Sequence, residues 1–428
     1  MTDLLKKVLI ITYYWPPSGG AGVQRWVKFS KYLESFGFEP VVITVNPEKA
    51  SYPLTDYSLE DEIKTIKVIR TGTFEPFWFY KKLLRKKEIP YAGFANETQP
   101  GTLEKVSRYI RGNFFIPDAR KGWNRFVLTV ARKLIKEYNI KNLVTTSPPH
   151  STQLIGLKLK SEFDLNWIAD LRDPWTDIYY YNQMYHTSVA AAYDKKLENR
   201  VLNNADHVVA VSHSIKKLFA GKLEKGEERK IHVIPNGYDE SDFANRQSSR
   251  NRTFIITYTG TIADNYHIEN FLNAAARLRS ENIAFRFVGR VSDKYKDLIR
   301  SLGLESLTTY IDHVKHQEAV KYMLSSDLLL LAVPDVVNNE GILTGKLFEY
   351  LASGKKIIGI GPVQGDAAKI ISMCKAGQMF GYEENDTVEN FLREACRNWK
   401  EEADSSDENR CREFSRKALT ADMAKLFV

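Results

Sequence analysis

The sequence predicts an α/β protein of two domains, each a Rossmann-like, doubly wound parallel sheet with helices on both faces. Short apolar runs rich in β-branched residues alternate with amphipathic helical stretches along the chain, from Val8-Leu9-Ile10-Ile11-Thr12 to the run over 357–360. Turns rich in glycine, proline and charge follow these runs, where ligands gather in such sheets. A length of 428 residues also exceeds one typical domain.

Composition narrows the class. Hydrophobic content of 43% and charged content of 27% are ordinary for a soluble globular protein. Cys374, Cys396 and Cys411 have no close spacing, so neither a disulfide framework nor a metal-ligand pattern is expected, and a reducing cytosol is. Residues 1–11 lack a long apolar region and a cleavage site, so no signal peptide is expected. No apolar run is long enough to span a bilayer. The net charge of +8 suits nucleic acid, an anionic membrane leaflet or anionic small molecules. No nucleic-acid-binding signature accompanies it, which leaves the last two.

Taken in order, 8–12 is a buried strand that runs into Tyr13-Tyr14-Trp15-Pro16-Pro17-Ser18-Gly19-Gly20-Ala21-Gly22. A helix follows with Val23, Trp26, Val27 and Leu33 on one side. Glycines at a strand-to-helix turn let a ligand approach the backbone, or simply make the turn tight. The spacing is not GxGxxG and no acidic residue ends the next strand, 41–45, so a dinucleotide fingerprint is not formed. A third strand spans 66–70. Beyond it Phe74, Phe77, Trp78, Phe79 and Tyr80 precede Lys81, Lys82, Arg85, Lys86 and Lys87. Rings beside cations suit anionic membrane headgroups, or alternatively a half-buried helix with a solvated face. Arg108, Arg111, Arg120 and Lys121 extend the basic character.

A helix over 127–138 and a strand over 143–146 lead to the turn Ser147-Pro148-Pro149-His150, and Thr152 begins the next helix. The strand 167–169 gives out in Asp170-Leu171-Arg172-Asp173-Pro174-Trp175. Three charges at the end of a strand favour chemistry, the alternative being an Asp–Arg ion pair that shapes the loop. A helix over 194–203, a strand over 208–211 with Ser212 as N-cap before Ile215, and a strand over 231–234 complete the first domain. Polar residues 245–252 read as the linker.

The second domain repeats the pattern: a strand over 254–258, the turn Thr259-Gly260-Thr261 and a helix over 268–278. A strand over 285–288 ends at Gly289-Arg290 before a helix over 294–302, and 310–314 leads into a helix over 317–324. The apolar run 327–334 then precedes Leu343-Thr344-Gly345-Lys346-Leu347-Phe348-Glu349, in which Gly345 opens a helix ahead of the strand 357–360. Helices over 366–373, 389–399 and 410–427 close the chain. Domains are expected at 1–245 and 246–409, with 410–428 packing back toward the first.

Three loops of the second domain, Thr259-Gly260, Gly289-Arg290 and Gly345-Lys346 with Glu349, carry what an anionic nucleotide requires. The helix opening at Gly345 offers free N–H groups and a positive dipole end to a diphosphate. Arg290 can grip phosphate in bidentate fashion and Lys346 acts as a point charge. Glu349, one turn on, can accept from ribose hydroxyls. The plainer alternative for Lys346 and Glu349 is an ordinary helix with solvated charges. Gly19-Gly20 and the Asp170 to Asp173 loop line the equivalent edge of the first domain.

These residues carry a resemblance. Tyr14-Trp15-Pro16-Pro17 with Gly19-Gly20, Pro117-Asp118 with Gly122-Trp123, Ser147-Pro148-Pro149-His150, Asp170-Leu171-Arg172-Asp173-Pro174-Trp175 and Pro235-Asn236-Gly237-Tyr238-Asp239 stand in the expected order. Together with Glu349 they resemble the family 4 retaining glycosyltransferases of the GT-B fold, in their bacterial surface-polysaccharide branch. The resemblance implies two domains facing across a cleft, a nucleoside diphosphate sugar (UDP or GDP) held mainly by the C-terminal one, and a glycan or lipid-linked acceptor held by the N-terminal one. The implied donor-side residues are Gly19, Gly20, Thr259, Gly260, Arg290, His313, Val314, Thr344, Gly345, Lys346, Leu347 and Glu349. The implied acceptor-side residues are His150 and Trp175. Asp170, Arg172 and Asp173 stand where many relatives have a histidine near the transferred sugar, and which of them touches it stays open.

Glu349 matches the second acid of the family's paired-glutamate motif. Counting back at the family's spacing lands on Gly341, one place after Glu340. Either the loop bulges so that Glu340 still reaches the sugar, or this branch dispenses with the first acid; Lys346 favours the second. Catalysis is thus expected from Asp170, Arg172, Asp173, Lys346 and Glu340. The implied reaction moves a hexose-type unit to a hydroxyl with retention, with no cofactor, no metal and no nucleic-acid partner, in the cytoplasm or peripherally on the inner face of the cell membrane. A sugar-nucleotide epimerase of the same shape and a non-catalytic nucleotide-sugar binder are the alternatives.

Overall fold

The computed structural model describes residues 5–52, 54–75, 101–244, 251–401 and 411–428. The chain divides into two compact units, Met1–Pro235 with Arg416–Val428, and Asn236–Ser415. The expected division in the polar stretch near residue 245 lies later in the chain, because Tyr238 and Phe243 bury in the core of the second unit.

The first unit holds β1 (Lys6–Ile11), α1 (Ala21–Leu33), β2 (Phe38–Val45), β3 (Lys67–Thr71), α2 (Thr102–Phe114), α3 (Asn124–Tyr138), β4 (Asn142–Ser147), α4 (Ser151–Lys160), β5 (Asn166–Leu171), α5 (Ser188–Asn204), β6 (His207–Ala210), α6 (His213–Ala220) and β7 (Ile231–Val233). Its sheet has the order β3-β2-β1-β4-β5-β6-β7, parallel throughout. Both faces are covered, so alternate residues of one strand enter different cores. Leu9 and Ile11 join one cluster with Trp123, Val127 and Trp167, and Val8 and Ile10 join the other with Trp26 and Val27. Such strands read as unbroken apolar runs.

The second unit holds β8 (Phe254–Thr259), α7 (Glu269–Arg277), β9 (Ile283–Val288), α8 (Asp293–Ser301), β10 (Thr308–Ile311), α9 (His316–Leu324), β11 (Leu328–Ala332), α10 (Gly345–Ser353), β12 (Lys356–Ile360), α11 (Asp366–Met373), β13 (Gly377–Phe380) and α12 (Asn385–Lys400). Its parallel sheet runs β10-β9-β8-β11-β12-β13, with the strand order reversing between β8 and β11. Ligands of open α/β sheets bind outside the carboxyl ends of the strands at such a reversal.

The last helix, α13 (Arg416–Ala424), belongs to the first unit. Leu419, Met423 and Phe427 bury beside Val23 and Trp26 of α1, and the Asn142 and Asn166 amides donate to Val428 O and Leu426 O at 3.0 and 2.7 Å. Ser212 caps α6, its hydroxyl accepting from the Ile215 N–H at 3.3 Å.

Two expectations are corrected. Cys374 and Cys411 form a disulfide across 37 residues of sequence, a distance at which spacing carries no signal. Asp170 is not in a loop but inside β5, with no exposed surface. The aromatic and basic stretch from Phe77 to Lys87 and most of the expected linker lie outside the described residues.

Asp170 organises the first unit. Its carboxylate accepts from Arg25 Nη2 at 2.9 Å and Nε at 3.3 Å, from Trp26 Nε1 at 2.7 Å and from Thr146 Oγ1 at 2.8 Å. Arg25 also donates to the carbonyls of Ile234 at 2.9 Å and Pro235 at 2.5 Å, so one pair joins α1, β4, β5 and the end of the sheet. Burial pushes the Asp170 pKa up, but Arg25, with Arg172 and Trp26, holds it below the ordinary carboxylate value. Asp170→Asn therefore leaves a buried guanidinium uncompensated. It is expected to cost about 3–5 kcal/mol, read as loss of the tryptophan-fluorescence transition of the first unit in urea.

Candidate functional site

In the second unit the structure brings the ends of β8 and β9 together beside Lys346. Gly260 follows β8 with φ 104° and Gly289 follows β9 with φ 125°, and a Cβ on Gly289 would stand 2.4 Å from the Gly260 carbonyl oxygen. The two turns touch backbone to backbone, so Gly289 has no room for a side chain. Lys346, in the first turn of α10, reaches back over the Tyr258 ring with Nζ 4.2 Å from its centroid and donates to the Tyr258 hydroxyl. A Cβ on Gly260 would lie 3.4 Å from the same Nζ. Tyr350 ties this helix to β8, its hydroxyl accepting from the Thr259 N–H at 3.0 Å. Burial pushes the Lys346 pKa down to about 7, against the pull of Glu349.

The N-terminus of α10 carries no compensating acid in its first turn. Thr344 stands at the N-cap, yet its Oγ1 is buried without a hydrogen-bond partner among the described residues. Leu347 is buried and serves packing. The result is an uncapped positive helix end, a buried hydroxyl and a half-neutral ammonium side by side, which is the chemistry of an anion cradle. Arg290 is exposed after β9, and its side chain makes no ion pair among the described residues. His313 and Val314, exposed and half-buried, follow β10, and no hydrogen bond links His313 to Lys346 or Glu349.

The Glu349 carboxylate is met instead by His316, whose Nε2 lies 2.9 Å from Oε1. Glu340 is exposed in a short 3-10 turn, Asn339–Gly341, and its side chain is not joined to Lys346 or Glu349 by any hydrogen bond or ion pair. The neighbouring Asn339 amide donates to Tyr382 OH at 3.1 Å and anchors that turn.

In the first unit Gly20, with φ 101°, precedes α1, and that helix likewise has no acid in its first turn. Gly19 is pressed against Leu54, where a Cβ would come within 2.9 Å of Cγ. Arg172 is a structural clamp: it donates to Ser147 O at 2.9 Å and Gly22 O at 2.6 Å, tying the end of β4 to α1. Asp173 differs from Asp170, since it is half-buried and no hydrogen bond to it is made among the described residues. Burial raises its pKa, with Arg172 pulling the other way. His150 stacks on Trp175 at 4.7 Å between centroids, and the Trp175 indole donates to Asp194 at 2.9 Å. Burial, then Arg172 and Lys222, pushes the His150 pKa down to about 3, so this imidazole is neutral across the physiological range.

Sequence reasoning missed Tyr258, Tyr350 and His316. The two tyrosines are indistinguishable from core residues in an apolar run or helix stripe. His316 opens a helix read as starting one residue later, and only the packing of α9 beside α10 reveals its partner.

Comparison with known proteins bears on the family and the fold. The profile of "Glycosyltransferase Family 4" matches residues 89–242, and that of "Glycosyl transferases group 1" matches 239–410. A candidate teichuronic acid biosynthesis glycosyltransferase of Bacillus subtilis, TuaH, is 23% identical over 176 residues, 39% of this chain and 43% of that protein. The aligned part thus spans less than half the length of this curated relative. A glycosyltransferase from Rickettsia africae superposes with a TM-score of 0.62 at 15% identity, over 98% of this chain and 97% of that one. HepE of Anabaena, solved in complex with UDP, gives 0.63 at 13% identity over 98% of both chains. With two family profiles running contiguously over 89–410 and two Rossmann-like parallel sheets, the chain belongs to the family 4-like glycosyltransferases of the GT-B fold.

Proposed function

We propose that the protein transfers a sugar from a nucleoside diphosphate sugar to a hydroxyl of a glycan or lipid-linked acceptor, with retention, in surface polysaccharide assembly. The observation that carries the reading is Lys346 folded against Gly260 at the uncapped N-terminus of α10, with Glu349 one turn on. Those groups meet the diphosphate and the ribose. HepE was solved with UDP-glucose as well as UDP, and TuaH is connected with teichuronic acid, which supports a nucleotide sugar and a wall-type glycan.

In the reaction the bond from the anomeric carbon to the diphosphate oxygen breaks and a bond to the acceptor oxygen forms on the same face. The acceptor proton passes to the leaving phosphate. Negative charge growing on the diphosphate is met by Lys346, the α10 N–H groups and Arg290. Positive charge growing on the sugar ring calls for a carboxylate, and between Asp170 and Asp173 it is Asp173 whose oxygens take no hydrogen bond among the described residues. Asp170 and Arg172 position that loop. The cations supply the charge a metal supplies elsewhere, so no resident metal is needed.

The test is a panel of UDP- and GDP-sugars with nucleotide release and product configuration as readouts. Transfer with retention, unaffected by EDTA, is expected. Lys346→Ala is expected to lower kcat about 100- to 1,000-fold, the usual loss when one preorganised charge is removed from a transition state. A product that is only an isomerised donor, or no turnover with any donor, overturns the reading.

The Lys346 pKa of about 7 sets a pH dependence. Below that value the ammonium is charged and attracts the diphosphate; as pH rises through it the charge is lost. UDP or GDP affinity by calorimetry is expected to fall between about pH 6 and pH 8.5, and Lys346→Arg, charged throughout, is expected to flatten the profile.

We carry a peripheral membrane contact as part of the reading. On α2, Leu103, Val106, Ile110 and Phe114 are all exposed at helical spacing, on a chain of net charge +8. Among the described residues no helix is long and apolar enough to cross a membrane. Leu103→Glu with Ile110→Glu is expected to abolish co-sedimentation with phosphatidylglycerol vesicles while leaving turnover on a soluble acceptor unchanged. Undiminished co-sedimentation removes the membrane contact.

A further inference from the structure

Lys346 and Glu349 stand three residues apart on α10, the spacing at which a helix brings side chains together. Opposite charges so placed and partly shielded from water should pair, yet no ion pair joins them. The Glu349 carboxylate turns instead to the neighbouring helix α9, where His316 Nε2 stands 2.9 Å from Oε1. Both side chains are largely covered, at 23% and 17% exposure, so the contact is held by packing as well as by its hydrogen bond. Lys346 meanwhile lies over Tyr258. The two side chains thus face different partners, Glu349 the imidazole and Lys346 the tyrosine ring.

We infer that His316 is a positioning residue of the nucleotide site: by engaging one carboxylate oxygen it fixes Glu349 for a vicinal ribose diol and keeps it off Lys346. This rests on the proposed reading that Glu349 accepts from ribose. A carboxylate offers about four lone-pair sites on two oxygens, so one bond from His316 leaves Oε2 and part of Oε1 for the diol. An unheld glutamate gives up rotamer freedom when it binds, and here that ordering is complete before the ligand arrives. Were Glu349 to fall onto Lys346, the ribose would lose an acceptor and the diphosphate would meet a neutralised cation.

The experiment compares binding of UDP and GDP with that of their 2′-deoxy counterparts, by calorimetry on the full chain. Wild-type protein is expected to prefer the ribonucleotide by about tenfold or more, the worth of one hydrogen bond to a charged group. His316→Ala is expected to collapse that ratio to below about threefold, and His316→Gln, which still donates, to retain most of it. A merely structural role would weaken both nucleotides alike and keep the ratio, which overturns the inference. If Glu349→Ala removes the preference but His316→Ala does not, the His316 role falls while the ribose reading stands. If Glu349→Ala also preserves it, or wild-type protein shows no preference, the ribose reading and this inference fall together.

Discussion

The arrangement at the carboxyl end of β8 in the second unit depends on where one ammonium group is placed. Lys346 is drawn onto the Tyr258 ring and against the Gly260 backbone, and burial lowers its pKa to about 7 against the opposing pull of Glu349. Three features make the position available. Gly289 has no side chain, so its turn can lie against that of Gly260; Tyr350 fastens α10 to the end of β8; and the first turn of α10 contains no acid to quench the cation. A larger residue in either turn, or a carboxylate at the helix start, would close the cradle or neutralise it.

The first unit solves a different problem. Its central buried charge, Asp170, is fully occupied by Arg25, Trp26 and Thr146, and Arg172 is spent on carbonyls of the β4 turn and α1. These groups hold the carboxyl edge of the sheet in shape. Asp173, two residues beyond the strand, is left uncommitted among the described residues, and His150 is kept neutral on the face of Trp175. A segment that offers three charges for one role thus separates into two that are held by the framework and one with no hydrogen bond among the described residues.

Much of this was legible in the order of residues. Fully buried parallel strands leave continuous apolar runs, so all the longer strands could be read, and α11 over Asp366–Met373 matched its expected bounds. The short edge strand β13, Gly377–Phe380, has too little apolar sequence to register, and α2 exposes so much apolar surface that its stripe does not resemble a core face. The glycine turns and Lys346 were visible because they depart from packing rules. Tyr258, Tyr350 and His316 were not, because each obeys them.

Sequence alone determined the two-sheet architecture, the glycine turns at the strand ends, and the set of charged residues from which a site can be drawn. Those follow from local periodicity and from turn chemistry, which act over a few neighbours. Which charges are free was decided only by the tertiary structure: Asp170 meets Arg25 across 145 residues, Glu349 meets His316 across 33, and Cys374 meets Cys411 across 37. A carboxylate's environment, and hence its role, is set by whatever the fold brings within hydrogen-bonding distance, and that partner leaves no mark at any fixed spacing along the chain.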